Sequence, residues 1–264
     1  MTMSSGALVP EGWWQDEERV RHPRAGWASL PAEPSGPDAT FVRALRSLWL
    51  AYQPIVSARD GRVIAHEALV RSDEPALGDP VALFDAAGRR SRRRRLSRAI
   101  RARLAADLRS MAGDVFTNVG PEELDDPTLY DPRGPLAPFA SRIVLEVTEQ
   151  APLERVPDLT GRIARLRALG YRLAVDDLGA GYAGHVSLAI LEPEIVKLDM
   201  SLVRGVDRDP SRREVVRSTT RLCQRLGCLV VAEGIETVDE RDAVLELGCD
   251  ALQGFLFAHP ARRT

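Results

Sequence analysis

The sequence predicts an α/β protein folded as a closed (β/α) barrel, and three observations carry that expectation. Short β-branched runs alternate with helical stretches from about residue 41 onward. Several of the helical stretches end in a glycine placed just before the next run. Most of the β-runs are apolar along nearly their whole length and turn polar only toward the end. Strands covered on both faces of a parallel sheet read as continuous apolar runs, and repeated βα units build such sheets.

The β-runs are VIAHEALV (63–70), DVFTNV (114–119), RIVLEV (142–147), RLAVDD (172–177), IVKLD (195–199), LVVAEG (229–234) and ALQGFLF (251–257). RLRALG precedes YRLAVDD, CQRLG precedes CLVVAEG, and LELG precedes CDALQG. Gly170, Gly227 and Gly248 therefore occupy the position where a helix C-cap needs a left-handed residue. At least six such units within roughly 220 residues favour a closed barrel over an open sheet. In RRSRRRRLSRAIRARLAADL (89–108) the apolar Leu96, Ile100, Leu104 and Leu108 recur every fourth residue, so one stripe faces the core and arginines cover the rest. We read the basic face (89–103) as solvated or subunit-facing and not as a nucleic-acid groove, because the net charge is -2 and no aromatics interleave. Residues 1–40 contain GWWQDEERVRHPRAGWASLPAEPSGPD, rich in Pro, Gly and charge, and read as a largely unstructured tail. Its Trp13, Trp14 and Trp27 are candidates for docking on a partner or on the barrel. The barrel domain is expected over 41–264.

Composition narrows the function classes. A net charge of -2 gives no global attraction to nucleic acid or anionic membrane. Cys223, Cys228 and Cys249 are an odd number without a signal peptide, which favours a reducing, cytoplasmic setting over a disulfide framework. No apolar run approaches the ~20 residues of a membrane span.

The polar residues that interrupt the β-runs are Glu67, Asn118, Glu146, Asp176 with Asp177, Lys197 with Asp199, Glu233 and Gln253. In a barrel the carboxyl ends of the strands form the floor of the active site. Unpaired carboxylates are costly to bury, and several in one bowl repel unless cations neutralise them. With carboxylates and an amide oxygen as donors, and no Cys or His, the set suits Mg²⁺ or Mn²⁺. An adjacent pair such as Asp176 and Asp177 can let one carboxylate bridge two ions, the usual clamp for attack on a phosphodiester. Lys197 is the only lysine among 36 basic residues. A compact ammonium fits where arginine's planar fork does not. His66 should point away from Glu67, since neighbours in a strand face opposite ways, and His185 reads as a loop residue.

These motifs resemble the EAL-domain family of cyclic di-GMP phosphodiesterases. The opening segment YQPIVSARDGRVIAHEALVR holds Glu67, Ala68 and Leu69, and FTNVG, LEVTE, AVDDLGAGYAG, VKLD, VVAEGIET and QGFLF follow in the family's order over about 45–262. The resemblance implies a TIM-like (β/α)8 barrel with its first strand antiparallel, and hydrolysis of cyclic di-GMP to linear pGpG with two ions, Mg²⁺ or Mn²⁺. It implies that Glu67, Asn118, Glu146 and Asp176 hold one ion, and that Asp176, Asp177 and Glu233 hold or orient the second and its water. Lys197 would bond the attacking water and the charge developing on phosphate. Glu149 and Glu236 would steady the loops, Gln253 would lie near the reacting centre, and Gln53, Arg71 and Asp199 would contact substrate. It also implies a homodimer and leaves room for a regulatory protein partner. The chain departs from the common DDFGTGYSS pattern at Leu178, Ala180, Ala183 and Gly184, with His185 following. The alternative expectation is therefore a cyclic di-GMP-binding or partner-docking protein that does not hydrolyse.

Overall fold

The structure, a computed structural model, describes residues 37–180 and 184–263. The strands are β1 (Leu48–Ser57), β2 (Val63–Ser72), β3 (Asp114–Asn118), β4 (Ile143–Thr148), β5 (Arg172–Leu178), β6 (Ile195–Leu198), β7 (Leu229–Ala232), β8 (Ala251–Leu252) and β9 (Ala261–Arg262). The helices are α1 (Pro37–Arg46), α2 (Pro80–Ala86), α3 (Arg90–Leu108), α4 (Pro121–Leu124), α5 (Leu159–Leu169), α6 (Gly184–Leu191), α7 (Met200–Val203), α8 (Pro210–Arg225) and α9 (Val238–Glu246). From β2 to β8 each strand pairs parallel to the next. β1 closes the barrel by pairing antiparallel to both β2 and β8, and β9 pairs antiparallel with β1 at Ala51 and Tyr52. The expected barrel with an antiparallel first strand is what the chain forms.

The helices end as the glycine pattern requires: Gly170, Gly227 and Gly248 have φ of 103°, 86° and 91°. Three boundaries differ from the sequence reading. Helix α1 begins at Pro37, so 37–40 leave the tail; proline suits a first helical turn, Asp38 favours its positive end, and Phe41 and Ala44 are buried against the core. The rest of the expected tail, with Trp13, Trp14 and Trp27, lies outside the described residues. β1 is missing from the sequence reading, partly because Pro54 argues against a central strand. Proline is tolerated there because it falls between the β9 partners at Ala51 and Tyr52 and the β8 partners at Val56 and Ser57. Finally, ALQGFLF is a strand for only two residues. The chain turns after Gln253 because Gly254 presses on the backbone of Ile235, where an added Cβ would lie 2.1 Å from the carbonyl oxygen.

The α3 stripe packs inward as expected, with Leu96, Leu104 and Leu108 buried and Ile100 partly so. Several arginines of this helix meet acids of the chain itself: Arg94 with Asp125 at 3.1 Å, Arg98 with Asp126 at 3.2 Å, and Arg101 with Asp126 at 2.6 Å. Burial alone would raise the Asp126 carboxyl, but hydrogen bonds from Arg98, Thr128 and Arg101 outweigh it and hold it well below its ordinary range. The three cysteines are free and buried. No helix among the described residues is long and apolar enough to cross a membrane.

Inside the barrel one apolar residue from each of β1 to β8 forms a layer: Ile55, Ala65, Phe116, Val144, Ala174, Ile195, Val231 and Ala251. This layer fixes what lies above it.

Candidate active site

Side chains alternate across a strand, so the residue two places farther along faces the same way. Two residues beyond the apolar layer stand Glu67, Asn118, Glu146, Asp176, Lys197, Glu233 and Gln253, and two before Ile55 on the reversed β1 stands Gln53. Eight barrel positions thus present four carboxylates, three amides and one ammonium in a single ring on an apolar floor. Asp177 should face outward by the same rule. It does not, because β5 changes register between Val175 and Leu178, and Asp177 has a left-handed φ of 58°. This bulge brings ligand atoms of Asp176, Asp177 and Glu233 within 4.8 Å of one another.

Lys197 sits at the centre, 1% exposed. Its Nζ lies 2.6 Å from Glu233, 2.7 Å from Glu146, 3.0 Å from Asp176 and 3.4 Å from Glu67. Burial opposes its charge, but Glu146, Glu233, Glu67 and Asp176 outweigh that and hold it well above its ordinary value. One ammonium cannot balance the acids around it. Burial pushes Glu146 well above the usual carboxylate range, with repulsion from Glu67 and Asp176 added and attraction to Lys197 opposing. Burial likewise pushes Glu233 up to about 8, and Asp177 up to about 6 with Asp176 and Asp199 adding repulsion.

The amides tie the ring together. Gln253 donates through Nε2 to Glu67 at 2.6 Å and to the Gln53 side-chain oxygen at 3.1 Å, while Gln53 donates to the Ala258 carbonyl at 3.1 Å. Asn118 donates to Glu67 and Glu146, both at 3.4 Å. The donor set fits a hard divalent cation: it is all oxygen, and buried Glu146 Oε1 and Asp176 Oδ1 accept no hydrogen bond and meet only the lysine charge.

The other predicted residues lie around this ring. Glu149 is buried and accepts from the Gly179 amide at 3.1 Å, while its own amide donates to the Asp176 carbonyl at 2.9 Å, so it braces the loop after β5. Glu236 is exposed and forms a two-pronged ion pair with Arg204, one contact at 2.6 Å, joining the loops after β6 and β7. Asp199 caps α7 by accepting from the Ser201 amide at 2.8 Å. Arg71 lies on the inward face four residues past Glu67, its guanidinium bonded to the Val70 carbonyl at 2.8 Å. His66 faces away, its Nδ1 buried without a partner and its pKa lowered by burial and then by Arg263. Leu178 is buried and pairs with Leu198, filling the core where the common family pattern has phenylalanine. The side chains of 181–185, with Ala183, Gly184 and His185, lie outside the described residues.

One loop-holding residue escaped the sequence reading. Glu240, 1% exposed, accepts backbone hydrogen bonds from Gly205 and Glu236, both at 3.0 Å, and from Thr237 at 3.2 Å. It thereby ties the loop after β6 to the loop after β7. The readable signal was TVDE, a capping box opening α9.

Comparison with known proteins agrees with this geometry. A family model described as EAL domain matches residues 39–260. An uncharacterized protein of Azorhizobium caulinodans is 33% identical over 231 residues, covering 81% of this chain and 31% of that protein. The cyclic di-GMP phosphodiesterase NbdA of Pseudomonas aeruginosa is 32% identical over 235 residues, covering 83% of this chain and 30% of that protein. The chain spans about a third of the length of such curated relatives. Among solved structures, the manganese/cy-diGMP complex of Klebsiella pneumoniae BlrP1 is 34% identical with a TM-score of 0.69, covering 81% of this chain and 56% of that one. The c-di-GMP complex of the PaMucR phosphodiesterase is 27% identical with a TM-score of 0.73, covering 86% and 97%.

Proposed function

The chain belongs to the EAL domain family, and from that premise we propose that it hydrolyses cyclic di-GMP to linear pGpG in a metal-dependent reaction, lowering the level of this messenger. The observation that carries the reading is the single polar ring built by eight strands, with Lys197 at its centre and no expected carboxylate missing from it. Glu67, Asn118, Glu146 and Asp176 are the residues to hold one cation, and Asp176, Asp177 and Glu233 the second. Divalent cations bound there supply Lewis-acid polarisation of the phosphodiester and its attacking water. The chain's own groups do the rest. Glu233 and Asp177, which offer oxygens within 4.8 Å of each other, would orient the water and take its proton. Lys197 donates to the charge that develops on the phosphoryl oxygens, in a dry site where such a bond is strong. Gln53 and Gln253 hold Glu67 in register, and Glu149, Glu236 and Glu240 hold the loops that carry the remaining ligands. Arg71 and Asp199 would contact the substrate beyond the reacting phosphate. The finer parts of the same reading are Mg²⁺ or Mn²⁺ as the ions, a homodimer, a cytoplasmic setting and control by a protein partner.

The test is turnover of cyclic di-GMP by the purified chain with Mg²⁺ or Mn²⁺, followed as pGpG, beside Glu67→Ala. Product formation by the wild type that the variant loses is expected. Absence of product with either ion would sink the proposal and leave a binding protein in its place.

A further inference from the structure

We propose that the chain holds one small monatomic anion, chloride, in a pocket between α3 and the segment that joins β3 to β4. The inference uses no residue of the carboxylate ring and stands apart from the proposed hydrolysis. The pocket measures about 10 Å³, room for a single occupant the size of a water molecule. Its lining includes Arg101 of α3, Tyr171 just before β5, and Thr128, Leu129, Asp131 and Leu136 of the joining segment.

Two of these polar side chains are almost wholly buried, Arg101 at 7% exposure and Tyr171 at 4%. Arg101 Nη2 donates to Asp126 at 2.6 Å and to Thr128 Oγ1 at 3.0 Å, but its buried Nη1 has no hydrogen-bond partner among the described residues. The Tyr171 hydroxyl likewise makes no hydrogen bond among them. A charged donor left unmet in the interior is costly, so the pair points to an acceptor that the chain itself does not supply.

The surrounding charge sets the sign of that acceptor. Arg94 and Arg162 share Asp125, at 3.1 and 2.9 Å, while Arg98 and Arg101 share Asp126, at 3.2 and 2.6 Å. Glu123, which feels the charge of Arg101, brings the acids to three against four guanidiniums. Asp131, the acid in the lining, is engaged elsewhere: its carboxylate accepts from the Arg133 amide at 2.9 Å and lies 3.7 Å from the Arg133 guanidinium. A cation is repelled from such a place, and a polyatomic anion such as phosphate exceeds the space. A halide fits both limits, and the apolar Leu129 and Leu136 lower the local dielectric and so strengthen its bond to the guanidinium. Seated there, it ties α3 to the β3–β4 connection and to the start of β5.

The experiment takes the full chain in EDTA at neutral pH and follows melting in sodium chloride, sodium bromide and sodium gluconate at matched ionic strength, with bromide located by anomalous scattering in crystals. Chloride and bromide should raise Tm saturably above its value in gluconate, by about 3–6 °C at tenfold their Kd. Bromide should lie within about 3.5 Å of Arg101 Nη1. Replacing Arg101 would strand Asp126 and could unfold the chain, so Tyr171→Phe, which removes only the hydroxyl, carries the mutational test. It should weaken the halide response at least about tenfold in Kd. The same Tm in all three salts overturns the proposal, as does a water at this position with bromide elsewhere. Tyr171→Phe with the wild-type halide response overturns it too, since the salt effect would then be non-specific.

Discussion

Replacing Asp177 with asparagine separates what the carboxylate ring does for catalysis from what it costs the fold. Asp177 is held in a left-handed conformation that asparagine also tolerates, so the backbone of the bulge should survive the change. Its carboxyl is raised from 3.8 to about 6 by burial and by Asp176 and Asp199. At ~1.4 kcal/mol for each tenfold change in proton affinity, that is about 3 kcal/mol of penalty once the group is ionised. Because the side chain is partly open to solvent we take about half, ~1.5 kcal/mol. A folded-state pKa above the unfolded one means the stability is fully present below about pH 4 and is lost as pH rises through about 6. In EDTA at pH 8, Asp177→Asn should therefore melt about 3–6 °C higher than the wild type, and the gap should close as the pH falls to 4. Added Mn²⁺ should raise the wild-type Tm more than that of the variant, and the variant should lose hydrolysis. Thermal melts across pH with and without metal are the assay. A variant less stable than the wild type at pH 8 in EDTA, or a gap that ignores pH, would refute the reasoning.

Other expectations follow from single contacts. Lys197→Arg should fold, retain some cyclic di-GMP binding and lose at least ~100-fold in kcat, because the broad guanidinium cannot occupy a point shared by four carboxylates; full activity would remove its assigned role. Glu240→Ala strips the acceptor from three backbone amides and should cost roughly 2–3 kcal/mol in denaturant unfolding while lowering kcat through the two loops it ties. Asp126→Ala leaves Arg98 and Arg101 without their shared partner and should destabilise by about 3–5 kcal/mol at neutral pH. Since the Asp126 carboxyl is held below its ordinary value, its contribution is present above about pH 4 and fades as pH falls through the lower folded value, so the variant should lose less stability in acid than the wild type. Gly254→Ala puts a Cβ within 2.1–2.7 Å of Ile235 backbone atoms and should cut soluble yield and Tm together.

Seven of the eight ring members were legible because a polar residue that interrupts or ends an apolar run is conspicuous, and each run from β2 to β8 carries one. Gln53 came from the resemblance alone, since β1 with its Pro54 does not read as a strand. Asp177 was named as a ligand, but nothing in RLAVDD announces the bulge that turns it inward; alternation predicts the opposite face. The bonds between α3 arginines and Asp125 or Asp126 span some 25–31 positions in the chain, a distance over which spacing says nothing. Glu240 was readable as a helix cap, yet its second duty toward Gly205 belongs to the tertiary structure.

The position of Lys197 has a consequence for which ions the ring admits. The lysine is a counter-ion on a leash, and its local concentration is set by the backbone that anchors it and not by the salt outside. A sodium or potassium ion entering the ring brings one charge to a place already served by one, and gains little by displacing it. A doubly charged ion brings twice the field to the same oxygens. In the proposed metal-dependent reaction the ring should therefore sort ions by valence before size or coordination number matters, and ordinary changes in ionic strength should leave that choice untouched.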